Sequence, residues 1–109
     1  MSEEMNRQVQ VLTLNEVVAY QDATIVSKTL VDKKIGTMTV FAFAQGQGLS
    51  EHTVPFDAVV QVIDGEAQVT IAGSDYRVQS GQLIIMPANQ PHSIRAEHPF
   101  KMVLVMIRA

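Results

Sequence analysis

Two stretches decide how this chain is read. The first is Gly46-Gln47-Gly48-Leu49-Ser50-Glu51-His52-Thr53-Val54-Pro55-Phe56-Asp57-Ala58, running on to Gly65. The second is Gly81-Gln82-Leu83-Ile84-Ile85-Met86-Pro87-Ala88-Asn89-Gln90-Pro91-His92-Ser93-Ile94-Arg95-Ala96. As patterns they are Gly-x5-His-x-Val-x3-Ala-x6-Gly and Gly-x5-Pro-x-Asn-x2-His-x3-Ala, with 15 residues between Gly65 and Gly81. Glycine and proline at these intervals cut the chain into short pieces, each of strand length. Each stretch carries one histidine.

Working outward, the remaining segments also read as strands. Residues 9–14 alternate in polarity and predict an N-terminal strand, followed by one helical turn over residues 15–20 with Asn15 as its cap. Residues 23–31 are rich in β-branched side chains, and Asp32-Lys33-Lys34 reads as a polar turn. Residues 35–44 form a second long strand, apolar on both faces from Met38 onward, and so expected to be covered on both sides. Residues 58–63 and 66–71 flank Asp64-Gly65, a dipeptide that tolerates the positive φ of a tight hairpin. Turns at Gly73-Ser74-Asp75 and Ser80-Gly81 set off residues 76–78 and 83–86. Residues 87–91 are a loop and residues 100–107 a last strand. Short strands with turns every 8–12 residues and almost no helix indicate an all-β sandwich or barrel.

Composition narrows the functional classes. A chain of 109 residues is one domain. Residues 1–8 are polar and expected to fray, which leaves 9–109 as the barrel domain. A hydrophobic share of 47% against 17% charged leaves apolar surface to spare, which hints at burial between subunits. The net charge of −3 supplies no basic field for a nucleic-acid backbone. No apolar run approaches the roughly 20 residues that span a bilayer. The start Met1-Ser2-Glu3-Glu4 lacks the features of a signal peptide, so a cytoplasmic location is expected by default. Without cysteine there is no thiolate chemistry, and neither a nucleophile elbow nor a phosphate-cradling glycine loop is present.

The two histidine-bearing stretches resemble the paired motifs of the cupin superfamily, whose fold is a small double-stranded β-helix, or jelly-roll, barrel. The family's motifs read Gly-x5-His-x-His-x3–4-Glu-x6-Gly and Gly-x5-Pro-x-Gly-x2-His-x3-Asn. The match is to the small single-domain cupins. In the family, two histidines and a glutamate of the first motif join the histidine of the second to hold one metal. Position by position, those sites are His52, Val54, Ala58 and His92 here, so two of the four ligands are replaced by apolar side chains. The asparagine position is Ala96. The glycine position is Asn89, the non-glycine residue best suited to a left-handed backbone, so the loop is expected to survive.

A firmly bound divalent ion wants about three protein ligands or more. His52 and His92 alone would make a weak or vestigial site, with iron, manganese, nickel or zinc exchanging readily. Replacement ligands are scarce. If Ala58 points inward, Val60 and Val62 do too, while Asp57, Val59 and Gln61 point away unless a bulge shifts the register. Glu51 fails by the same parity relative to His52, and Gln45 and Gln47 lie on the preceding loop. The candidate pocket is therefore His52, Val54, Ala58, Val60, Met86 and His92. Phe56 is expected near its mouth, while Phe41, Phe43 and Val62 serve as lining or core, and His98 as a turn residue.

Three functional readings follow. The first is a module that binds a small, largely apolar or carboxylate-bearing molecule, with His52 and His92 as its polar anchors and no tightly held cofactor. The second is a metal-dependent dioxygenase or isomerase that uses the two histidines with water or one loop residue. The third is a partner protein with an inert barrel. The resemblance also implies a homodimer, because cupins often pair sheets or exchange an N-terminal strand.

Overall fold

The computed structural model describes residues 9–108; the expected frayed segment 1–8 lies outside them. In chain order the elements are α1 (Leu14–Val17), β1 (Ile25–Lys33), β2 (Gly36–Phe43), β3 (Gly48–His52), β4 (Asp57–Asp64), β5 (Glu66–Ile71), β6 (Ser74–Gln79), β7 (Leu83–Met86), β8 (His92–Arg95) and β9 (Phe100–Ile107). The strands form a five-stranded sheet, β1-β2-β9-β4-β7, facing a four-stranded sheet, β3-β8-β5-β6. Every pairing is antiparallel. The chain is a single-domain, all-β jelly-roll barrel.

Period-two alternation builds the core. Ala58, Val60 and Val62 of β4 pack inward with Phe43, Phe100, Met102, Val69 and Ile94, and Asp57 and Gln61 are exposed, as the parity argument requires. Phe43 stacks on Phe100 with ring centroids 4.6 Å apart. Strand β2 is indeed covered on both faces. Phe41 and Phe43 meet the barrel core, while Val40 and Ala42 meet Val18 and Val103, with Leu14 and Val17 of α1 packed over them. The Asp64-Gly65 hairpin forms with Gly65 at φ 73°, where a Cβ would stand 2.5 Å from the carbonyl oxygen of Pro99. Glycine is required there on both counts.

Three local expectations are corrected and two strands are added. Residues 9–14 are not a strand: 9–13 carry no regular structure, Leu14 opens α1, and Val9 and Val11 are almost fully exposed. Alternation stabilises a strand only when a neighbouring strand takes up its hydrogen bonds and one face is buried. Asn15 is not the helix cap, since Thr13 holds that position; the Asn15 amide donates instead to the carbonyl of Ile63. The β1–β2 turn falls at residues 34–35, because β1 runs on through Lys33 by way of a register shift between Thr29 and Val31. Strands β3 and β8 do not stand out in the sequence: they are short, and β3 is mostly exposed, so neither has a clear apolar period.

At and beyond α1, the chain is pinned to the large sheet by polar contacts. Lys101, buried on β9, donates to the backbone carbonyl of Asn15 and lies 5.0 Å from the centre of the Tyr20 ring. The Tyr20 hydroxyl donates to Asp64. Burial and the neighbouring Asp64 carboxylate hold that hydroxyl's pKa far above the usual phenol range.

Candidate functional site

Strands β3 and β8 bring the two histidines together. Gly48 pairs with Arg95, Leu49 with Ile94, and His52 with His92. Three steps along β3 thus match two along β8, so one extra residue is accommodated between Leu49 and His52. That bulge decides the site. In a regular strand Leu49 and Glu51 would share a face and His52 would point the other way. With the bulge, Leu49, His52 and Val54 all line one cavity. The close pairing of the strands also depends on Gly48, where a Cβ would fall 2.5 Å from the carbonyl oxygen of Ile94.

Two bonds between the motif loops hold this arrangement. The Asn89 amide donates to the Val54 carbonyl at 2.8 Å, with Asn89 at φ 65° as its residue type allows. The Ala88 amide donates to the Asp57 carboxylate at 2.8 Å. Asp57 therefore positions the second-motif loop although its side chain points away from the cavity.

The imidazole centroids are 4.4 Å apart and the rings meet edge-on at 65°. His52 is exposed at the rim, and His92 is 5% exposed. Each ring uses Nδ1 against a backbone carbonyl two residues earlier: His52 against Ser50 at 2.8 Å and His92 against Gln90 at 3.3 Å. A carbonyl only accepts, so in the neutral rings Nδ1 carries the hydrogen and Nε2 keeps its lone pair. Burial lowers the His92 pKa below the usual imidazole value; the bond to Gln90 opposes this and the nearby His52 reinforces it.

Around the rings the lining is Leu49, Val54, Ala58, Met86, Ile94, Leu104 and Met106, enclosing a space of about 30 Å³. Five of the six residues expected to form the pocket lie on it: His52, Val54, Ala58, Met86 and His92. Val60 lies deeper in the core, fully buried. Leu104 and Met106 were not foreseen, although alternation from Phe100 along β9 points to them. Ile94, two residues from His92, shares its face for the same reason. Phe56 stays off the cavity, with its ring 5.8 Å from the Arg108 guanidinium, and His98 is exposed between β8 and β9.

The side chains present do not fit the family's metal. All neighbours of the histidines on the cavity wall are apolar, and Gln45, Gln47, Glu51, Asp57 and Gln61 are not among them. Among the described residues no group of three or more His, Asp or Glu side chains comes together. Nor is any helix among them long and apolar enough to cross a membrane.

A jelly-roll of two facing antiparallel sheets, with a histidine from each motif meeting at one mouth, defines the double-stranded β-helix class of barrels. The cupin domain family matches residues 39–108, well over half of the chain, and the chain belongs to that family. Solved structures agree. A conserved protein of unknown function from Streptococcus pyogenes is 37% identical, with a TM-score of 0.89 over 94% of this chain and 90% of its own. A cupin 2 conserved barrel domain protein from Leptotrichia buccalis is 42% identical, with a TM-score of 0.86 over 88% of this chain and 47% of its own, so this chain spans about half of it. A cupin superfamily protein from Desulfitobacterium hafniense shares the fold at 22% identity, with a TM-score of 0.87 over 94% of each chain. No curated protein matches.

Proposed function

We propose that this cupin is a binding module for a small, largely apolar molecule, anchored by His52 and His92. One observation carries the reading: two imidazoles stand side by side on an otherwise apolar cavity, each with Nδ1 engaged by a backbone carbonyl, which leaves Nε2 for a ligand. Binding sites for small molecules are commonly of this kind, apolar with a few convergent polar groups. The 30 Å³ space takes a group about the size of a water molecule. The ligand's polar group enters, and its body rests at the rim beside Leu49, Val54 and His52.

Thermal-shift screening with small uncharged and charged organic molecules tests this. A ligand at about 100 times its Kd adds about 2.7 kcal/mol of stability, a gain expected to vanish in His52→Ala. A screen with no such His52-dependent stabilisation would end the reading. Metal analysis addresses the metal-dependent enzyme: near-stoichiometric metal in untagged protein, lost in His52→Ala, would replace the binding module with it.

The module is further proposed to work as a homodimer. Supporting this, the cross-strand register lines up Ile85, Val59, Val105, Met38 and Val31 on the outer face of the large sheet. Ile85 is 60% and Val31 37% exposed. Between Val31, Met38, Val105 and Ile107 an apolar groove lies over Gly36. A second copy offers the same apolar relief and would bury it.

A further inference from the structure

We infer that the group entering between His52 and His92 is an uncharged hydrogen-bond donor, the hydroxyl of a small and otherwise apolar alcohol, and that carboxylates, phosphates and ammonium ions are rejected. This rests on the binding reading above and names its ligand class.

The inference follows from counting hydrogen-bonding groups. Ser50 and Gln90 accept from the two Nδ1 atoms through their backbone carbonyls. That leaves the cavity with two acceptors, the Nε2 lone pairs. Leu49, Val54, Ala58, Met86, Ile94, Leu104 and Met106 complete the wall and bring no side-chain donor of their own. A carboxylate or phosphate oxygen carries only lone pairs and would face the nitrogen lone pairs without a hydrogen between them. An ammonium carries hydrogens but enters as a charge. No aspartate or glutamate lines the space to balance it, and a bare charge in apolar surroundings is strongly disfavoured. A hydroxyl donates one hydrogen to one ring and brings no charge, and its carbon chain continues the apolar wall. The space of about 30 Å³ suits a hydroxyl, with its carbon chain left at the rim.

Matched four-carbon probes separate these cases: 1-butanol, butyrate and butylammonium, titrated at about pH 8, where an ordinary imidazole is neutral. The readout is the 15N resonance of each imidazole Nε2 in long-range proton–nitrogen spectra. The expected result is a saturable shift with 1-butanol, with butyrate and butylammonium about tenfold weaker or without effect. The shift at His92 disappears in His52→Ala, whose exposed position leaves the core intact, and it persists in the presence of a chelator. Butyrate or butylammonium binding as tightly as the alcohol would overturn the donor assignment and leave the binding module standing. An alcohol response abolished by the chelator would overturn it in favour of a metal. If none of the three probes binds, while larger molecules still give His52-dependent stabilisation, the donor assignment alone fails; if those fail too, so does the binding module.

Discussion

His92 carries the clearest single-residue consequence. Its ring is buried and its pKa is lowered by that burial. The unfolded chain therefore takes up a proton at a higher pH than the folded one. Stability from this group is complete above about pH 6.5, the ordinary imidazole value, and is lost as pH falls from there through the lowered folded value. The unfolding free energy from urea titrations between about pH 8 and 5 is expected to fall with pH in the native chain, and less steeply in His92→Asn. Equal slopes would show that burial does not set the protonation of this ring. At this scale the sequence was informative. The motif resemblance put His52 and His92 at two of the family's ligand positions and Val54 and Ala58, both apolar, at the other two. The contribution of Asp57 was hidden, because its partner Ala88 is a backbone amide 31 residues away.

At the level of elements, the β3 bulge is what aims His52. The strand reads Gly48-Leu49-Ser50-Glu51-His52, and nothing in those letters marks an extra residue, since a bulge is a relation between two strands. Deleting Glu51 removes the extra residue, so that Leu49 and His52 stand two steps apart in regular pairing with β8 and His52 stays on the cavity face. Because β3 is an edge strand, the barrel is expected to remain folded, with a cooperative transition. The ligand response should be kept, in contrast to His52→Ala. A folded deletion variant that lost it would show that the register of β3 against β8 does not by itself aim the ring. The same relational character explains the missed N-terminus. Residues 9–14 have a strand's alternation, yet none of the strands among the described residues pairs with them.

For the whole molecule, the outer face of the five-stranded sheet presents the testable feature. Val59→Lys places a charge within the Ile85-Val59-Val105-Met38-Val31 row without entering the core. Sedimentation of the native chain at micromolar concentration is expected to give twice the 12.0 kDa chain mass, and the variant a monomer. A native chain that sediments as a monomer ends the dimer proposal. The sequence by itself determined an all-β sandwich or barrel, because turn residues and period-two alternation are local properties of the letters. The resemblance of its two motifs marked the barrel and the two histidine positions. The cavity's walls, the hidden bond from Asp57 and the inward turn of His52 were decided only by the tertiary structure. Each depends on which strands become neighbours and in what register, and a one-residue difference in pairing moves a side chain to the opposite face.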